Sequence, residues 1–278
     1  MNLHEELYRI KELMDVPPES NQPKLGGKLS DTLKPSIYTK EELLTVTHQA
    51  VSNALHQMVG NKAGVLLSGG VDSSITAILC HEINPDTLYF TIGTDVSHPD
   101  VQAAQRFAKE MNLTTSVYIP DEETRKQARG LFTKEYSEGD EAVLLILKEA
   151  AKYVTDILCT DGIDELMGGY WEHRGYQIRK KPIEYAFDKY WDELESKHLN
   201  PLKASAKAAG VNVITVFTDP NFMNYVSRIP FEDRVNCNTS KILWKDIARM
   251  VGVPEWVINR QKLGFCDALK KFEFLLGV

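Results

Sequence analysis

Gly64-Val65-Leu66-Leu67-Ser68-Gly69-Gly70-Val71-Asp72-Ser73-Ser74 decides how the chain reads. An apolar run, Val65 to Leu67, halts at Ser-Gly-Gly, crosses an Asp and resumes as Ile75-Thr76-Ala77-Ile78-Leu79-Cys80. That order spells strand, tight loop, helix. Asp72, Ser73 and Ser74 are all helix-capping types, so the helix start is strongly signalled. Two glycines allow a sharp turn and let the backbone come close to a ligand. The loop N–H groups and the first helical turn converge on one spot, where the helix dipole favours an anion. The hydroxyls of Ser68, Ser73 and Ser74 add donors. Asp72 would repel a phosphate there unless Mg²⁺ sits between them, an ion that takes oxygen ligands and phosphate partners.

Outward from this loop the pattern repeats. Thr87 to Ile92 reads as a second buried strand closed by Gly93, Thr114 to Ile119 as a third and Thr155 to Cys159 as a fourth. Helices are expected from Pro99 to about Met111 and from about Asp140 to Tyr153, with a charged segment over 120–138. Strands alternating with helices mean an α/β fold with a doubly wound, mainly parallel sheet covered on both faces. Ligands bind such sheets beyond the carboxyl ends of the strands, where the strand order reverses. The loops after Leu67, Ile92 and Cys159 are therefore expected to share one crevice.

Upstream, residues 2–14 read as a short amphipathic helix and 17–36 as a connector rich in Pro, Gly, Ser and Lys. Thr39 to Glu42 is a capping box, and Leu43, Leu44, Val46, Ala50, Val51, Ala54, Leu55 and Met58 form one stripe. His48 and His56 on this helix read as solvated. Downstream, 183–200 and 221–250 carry helical stripes (Ala186, Phe187, Tyr190, Trp191, Leu194; Phe222, Tyr225, Val226) that belong to a core. The β-branched run Val211 to Phe217 reads as a short strand. The expected division is 1–36 as helix and connector, 37–170 as a nucleotide-binding α/β core, and 171–278 as a helical layer closing over the crevice.

The chain has 278 residues and a net charge of −7, which argues against a broad nucleic-acid surface. No apolar run approaches a membrane span, and the polar, acidic start Met1-Asn2-Leu3-His4-Glu5-Glu6 is not a signal peptide. The expected location is the cytoplasm. Cys80, Cys159, Cys237 and Cys266 form no Cys-x-x-Cys pair, which removes the main support for thiolation or zinc-ribbon chemistry. They read as free thiols, and the scattered histidines as building no metal site.

A second stretch carries chemistry: Cys159-Thr160-Asp161-Gly162-Ile163-Asp164-Glu165-Leu166-Met167-Gly168-Gly169-Tyr170. Three carboxylates in five residues at a strand tip need a cation or ligand in compensation. Asp164 and Glu165 also suit the acidic first turn of a helix. Asp164 is expected to reach the same Mg²⁺ as Asp72.

Ser68-Gly-Gly-Val-Asp-Ser-Ser74 is not a Walker A loop, because no Gly-Lys-Ser/Thr follows. It resembles the PP-loop signature of enzymes that split ATP into AMP and pyrophosphate. Together with Asp164-Glu-Leu-Met-Gly-Gly-Tyr170 it is similar to the synthetase domain of asparagine synthetases and of β-lactam and carbapenam synthetases. Phe90-Thr-Ile-Gly93, Ser97-His-Pro-Asp100 with Ala103-Ala104, and Pro254 with Asn259-Arg-Gln-Lys-Leu-Gly-Phe265 extend the resemblance over roughly 40–267. The family's N-terminal glutaminase domain is expected to be absent, since residue 2 is Asn2.

The resemblance implies roles. Ser68, Gly69, Gly70, Ser73 and Ser74 hold the pyrophosphate end of ATP. Asp72 and Asp164 bind Mg²⁺. Leu66, Ile92, Cys159 and Thr160, with Gly93 and Gly162 in the flanking turns, belong to the nucleotide site. Lys262 stabilises developing charge, and Arg260 of the same Arg-x-Lys element is expected to be catalytic with it. Asp161 stands where the relatives have Glu or a catalytic Tyr and is the candidate proton acceptor. Glu135 and Glu138 lie near another family carboxylate. The implied reaction is adenylation of a small carboxylate, then amidation by ammonia, an amine or a separate glutaminase chain's product, with homo-oligomers compatible. Two departures fall near the carboxylate site: Asn212 to Pro220 has no Arg and no Pro at the places where the family has them, and no Thr-Ile-Arg segment precedes the fourth strand. Arg174, Arg179, Lys180 and Lys181 could receive an acidic substrate or form a solvated face. The alternatives are an NAD synthetase-like or tRNA-modifying PP-loop enzyme, or a non-catalytic nucleotide-binding descendant.

Overall fold

The computed structural model describes residues 25–60, 62–132, 137–261, 263–264 and 267–270. The expected helix over 2–14, together with Glu135, Lys262 and Cys266, lies outside them. In chain order the main elements are α1 (Lys40–His56), β1 (Ala63–Leu66), α2 (Val71–Ile83), β2 (Leu88–Ile92), α3 (Pro99–Glu110), β3 (Thr115–Tyr118), α4 (Glu122–Arg129), α5 (Glu138–Ala150) and β4 (Asp156–Cys159). Then come α6 (Ile163–Met167), α7 (Trp171–Arg174), α8 (Glu184–Glu193), α9 (Asn200–Ala209), β5 (Asn212–Thr215), α10 (Pro220–Val226), α11 (Phe231–Arg234), α12 (Ile242–Val251) and α13 (Glu255–Ile258).

The strands form one five-stranded sheet in the order β3-β2-β1-β4-β5. β1 pairs in parallel with β2 (Val65 opposite Tyr89) and with β4 (Val65 opposite Leu158), and β2 pairs in parallel with β3. The order runs one way from β1 to β3 and the other way to β4 and β5, so the reversal expected of a doubly wound sheet lies between β1 and β4. β1 and β4 are buried at every position, as central strands covered on both faces must be, whereas the edge strand β3 is half-buried. The short strand read at Val211 to Phe217 is β5.

Contacts divide the chain into two compact units. The sheet unit comprises Ala54–Thr160, His198–Ile214 and Ala248–Val278. Its core packs Leu66, Phe90 and Ile92 of the sheet with Leu144, Leu145 and Leu147 of α5 and Leu202 and Ala206 of α9. The other unit comprises Met1–Asn53, Asp161–Lys197 and Thr215–Ile247 and is built on aromatic side chains. Phe187 stacks on Phe231 at 4.1 Å between ring centres, and Phe217 meets Trp244 edge-on at 5.0 Å. Such pairs add to the burial of large apolar surface.

Three elements differ from their sequence reading, one of them the helical stretch read over 221–250, which is broken into α10, α11 and α12. The charged segment 120–138 contains α4, capped by Asp121, whose side chain accepts from Thr124 N at 2.7 Å. Only Ala128 of α4 is buried, so no apolar period marks it; Arg125 instead bonds Glu141 of α5 at 2.7 Å. The helix read over 183–200 is α8 followed by a π-helical turn at Leu194–Leu199 and then α9. Of the predicted stripes, Phe187, Trp191, Leu194, Phe222 and Val226 are fully buried, whereas Tyr190 and, in the α1 stripe, Leu44, Val46, Leu55 and Met58 are only partly buried. On α1 the Thr39 hydroxyl accepts from Glu42 N at 3.1 Å, and the Glu42 carboxylate accepts from Tyr225 at 3.0 Å. His48 and His56 are exposed.

Candidate functional site

In the sheet unit, the chain leaves β1 through Leu67, whose N–H still reaches Phe90 O, and turns through Ser68, Gly69 and Gly70. Gly69 has φ +68°, and a Cβ there would lie 2.6 Å from both the Ala103 Cβ and the Ala104 N of α3. Neither the left-handed backbone nor the close approach admits a side chain. α2 then begins at Val71 with Gly70 as N-cap and no side-chain cap. Asp72, Ser73 and Ser74, read as capping types, therefore sit inside the first turn. Of the three, Ser73 serves the loop: its Oγ accepts from Ser68 N and donates to Gly70 O, both at 3.2 Å. Asp72 is 3 % exposed and Ser74 fully buried, and Ser74 Oγ has no hydrogen-bond partner among the described residues. A buried hydroxyl without a partner, beside helix N–H groups that no side chain caps, is what a phosphate would satisfy.

The ends of β2, β1 and β4 lie side by side, which brings Ile92, Leu66 and Cys159 to one edge of the sheet. All three are buried, and Gly93 packs against α3 so closely that a Cβ would lie 2.5 Å from Val101 Cγ2. The start of α3 also receives the C-terminal stretch. Arg260, expected among the catalytic residues, ion-pairs with the buried Asp100, and His98 Nε2 bonds Asp267 O at 3.1 Å. Burial raises the Asp100 carboxyl above its usual range, while the Arg260 guanidinium opposes that shift. Three segments with sequence-predicted site residues thus rest on the first turns of one helix.

In the other unit, the acidic stretch folds into α6, bracketed by Gly162 (φ +96°) and Gly168 (φ +74°). Asp164 pairs with the ammonium of Lys241 at 2.5 Å, and Lys241 is 4 % exposed. Gly169 lies against both: a Cβ there would fall 1.7 Å from Asp164 Oδ1 and 2.5 Å from Lys241 Cε. Glu165 is buried, and burial together with the Asp164 charge pushes its carboxyl up to about 7. Tyr170 donates to it at 2.8 Å. His173 is fully enclosed beside Tyr170, Phe187 and Tyr190; its Nδ1 accepts from Tyr170 N at 3.1 Å, and burial pulls the imidazole down to about 4. Arg234, entirely buried, donates to Leu166 O at 2.9 Å, Val226 O at 2.7 Å and Ile229 O at 3.0 Å, so it binds α6 to the end of α10. Lys241 and Arg234 carry no signal in the neighbouring sequence, and only the folded chain brings them to the acidic stretch; His173 follows it by three residues but is not marked there as buried.

Asp72 in the one unit and Asp164 in the other each offer carboxylate oxygens, the donor type a hard divalent cation takes, and one oxygen of Asp164 faces the ammonium of Lys241. A profile of the asparagine synthase family matches residues 42–205 and 194–275, nearly the whole described chain. The chain belongs to the asparagine synthase family. This is a family of ATP-dependent amide ligases, and its members use ATP. Asparagine synthetase (glutamine-hydrolyzing) 1 of Bacillus subtilis (strain 168) is 28% identical over 159 residues, 54% of this chain and 25% of that protein. A Methanocaldococcus jannaschii protein provisionally given the same enzyme name is 27% identical over 213 residues, 70% of this chain and 38% of that protein. The chain thus spans about a quarter to two-fifths of the length of these relatives. Among solved structures, NMN synthetase from Francisella tularensis is similar with a TM-score of 0.47 and 14% identity, covering 83% of this chain and 78% of that one. Among the described residues no helix is long and apolar enough to cross a membrane.

Proposed function

We propose that this asparagine synthase-family chain adenylates a small carboxylate with ATP and passes the activated acyl group to ammonia or an amine. The observation that carries the reading is the Ser68 loop: an uncapped helix N-terminus with a buried, unpartnered Ser74 hydroxyl, in a family that uses ATP. A carboxylate oxygen attacks the α-phosphorus and pyrophosphate leaves. The nitrogen nucleophile then attacks the acyl carbonyl, AMP leaves, and the surplus proton goes to a base, for which Asp161 is the candidate. Ser68, Gly69, Gly70, Ser73 and Ser74 hold the pyrophosphate. Leu66, Ile92, Gly93, Cys159, Thr160 and Gly162 belong to the adenosine side. Asp72 and Asp164 are each assigned to Mg²⁺, which neutralises phosphate charge when bound. Lys262 stabilises charge on the transferring phosphate; losing one such contact costs roughly 10²–10³ in rate. Arg260, through Asp100, fixes the stretch that leads to it. The Asn212 to Pro220 stretch has no Arg and no Pro at the places where the family has them, so the acid need not be aspartate.

The test is product analysis with ATP, Mg²⁺ and a panel of small acids. AMP and pyrophosphate are expected, and Asp72→Asn abolishes their formation while circular dichroism stays unchanged. ADP as the main product would sink the reading.

A further inference from the structure

Lys241 lies outside the roles assigned so far, and three unfavourable features meet at its contact with Asp164. Its backbone is left-handed, φ +55°, which is strained for a long side chain. Its ammonium is buried. Residue 169 has to be glycine for the Asp164 carboxylate and the lysine stem to occupy their places. A buried ion pair returns little net stability against such terms, because both ions are stripped of water. The surroundings explain what the lysine does. Asp161 and Asp164 both act on Glu165, and Asp164 and Lys241 both act on His173, so the Lys241 ammonium sits beside carboxylates that it can offset.

We propose that Lys241 is the resident counter-ion of Asp164: it holds the carboxylate in place, and a divalent cation must displace its ammonium to bind that oxygen. This deepens the proposed function and rests on its assignment of Asp164 to Mg²⁺. An ammonium and a divalent ion repel each other and compete for the same oxygen. Lys241 thereby keeps Asp164 ordered while lowering its affinity for metal. Removing the lysine leaves a buried carboxylate uncompensated, which recruits a cation more strongly.

The experiment measures Mn²⁺ alone, without nucleotide, by the loss of the free-ion electron paramagnetic resonance signal on titration with protein. Lys241→Gly suits the left-handed backbone, and Lys241→Asn is a second variant that tolerates it. Both are expected to bind Mn²⁺ at least ~10-fold more tightly than the unaltered chain, since one opposing unit charge is gone. Asp164→Asn is expected to weaken binding and to cancel the gain when combined with either variant. If the lysine variants bind Mn²⁺ no more tightly while Asp164→Asn still weakens it, Lys241 is not a competitor and the inference is overturned. If Asp164→Asn leaves Mn²⁺ binding unchanged, the assignment of Asp164 fails and takes the inference with it.

Discussion

The Ser68 loop and the acidic stretch around α6 solve the same problem by opposite means. Each holds a carboxylate on the first turn of a helix, Asp72 in one and Asp164 in the other. The Ser68 loop is fixed by its own backbone, by two serine hydroxyls and by small residues that let it lean on α3. The acidic stretch is fixed by charged side chains from far along the chain: Arg234 bonds Leu166 across 68 residues, and Lys241 pairs with Asp164. The first arrangement is uncharged apart from Asp72 and built locally. The second is charged, buried and dependent on tertiary structure. Redundant local bonds tolerate loss, whereas a single buried guanidinium serving three carbonyls does not.

The widest gap between the two regions should appear in Arg234→Met. Leu166, Val226 and Ile229 would lose their donor at about 1 kcal/mol or more each, about 4 kcal/mol in all. Hydrogen exchange should show protection lost over 161–169 and kept over 64–74; equal loss in both would erase the contrast. Gly69→Ala comes next, at about 3 kcal/mol from a left-handed alanine forced against α3 backbone. Urea unfolding checks it, and a change under 1 kcal/mol would mean that the contact with α3 relaxes freely.

A pH dependence separates the regions further. His173 titrates at about 4 in the folded chain against an ordinary 6.5, so between those values the unfolded chain binds the proton and the folded chain does not. Its contribution is complete above pH 6.5 and falls as pH drops through that window, by about 2 kcal/mol between pH 7 and 5. Glu165, raised to about 7 from 4.5, has the opposite sign, its penalty growing as pH climbs from 4.5 to 7. Stability measured from pH 5 to 7 in His173→Asn, whose side-chain oxygen can still accept from Tyr170 N, should lose the histidine's share of the slope and fall more steeply toward pH 7. An unchanged slope would show that the imidazole is not held neutral. The smallest effect is expected for Ser73→Ala, about 1 kcal/mol for one hydroxyl within a local network. Exchange rates at Ser68 N and Gly70 N would report it, and a loss of several kcal/mol would show the loop to be as brittle as the acidic stretch.

The same contrast explains what could be read before folding. The Ser68 loop, the parallel strands and the short strand β5 declare themselves in contiguous residues, because apolar runs, glycines and hydroxyls act over a few positions. Asp164 and Glu165 were also legible, but their partners were not. Lys241 and Arg234 look like ordinary basic residues beside helices, and nothing adjacent marks them as buried. Helix α4 escaped for a related reason: with one buried residue it has no apolar period, and its anchor, Glu141, lies on the next helix. The start of α2 at Val71 was blurred because serines that cap helices elsewhere here close a loop.

Helix α3 carries one further consequence. Gly69 touches Ala103 and Ala104, Gly93 touches Val101, and Arg260 reaches Asp100, all within its first turns. The smallness of Gly69 and Ala103 is therefore one inherited trait rather than two. Neither position can enlarge unless the other retreats, so homologues should change them together or leave both alone. A mutational library aimed at new substrates would do well to treat this helix as the frame on which the variable parts are hung.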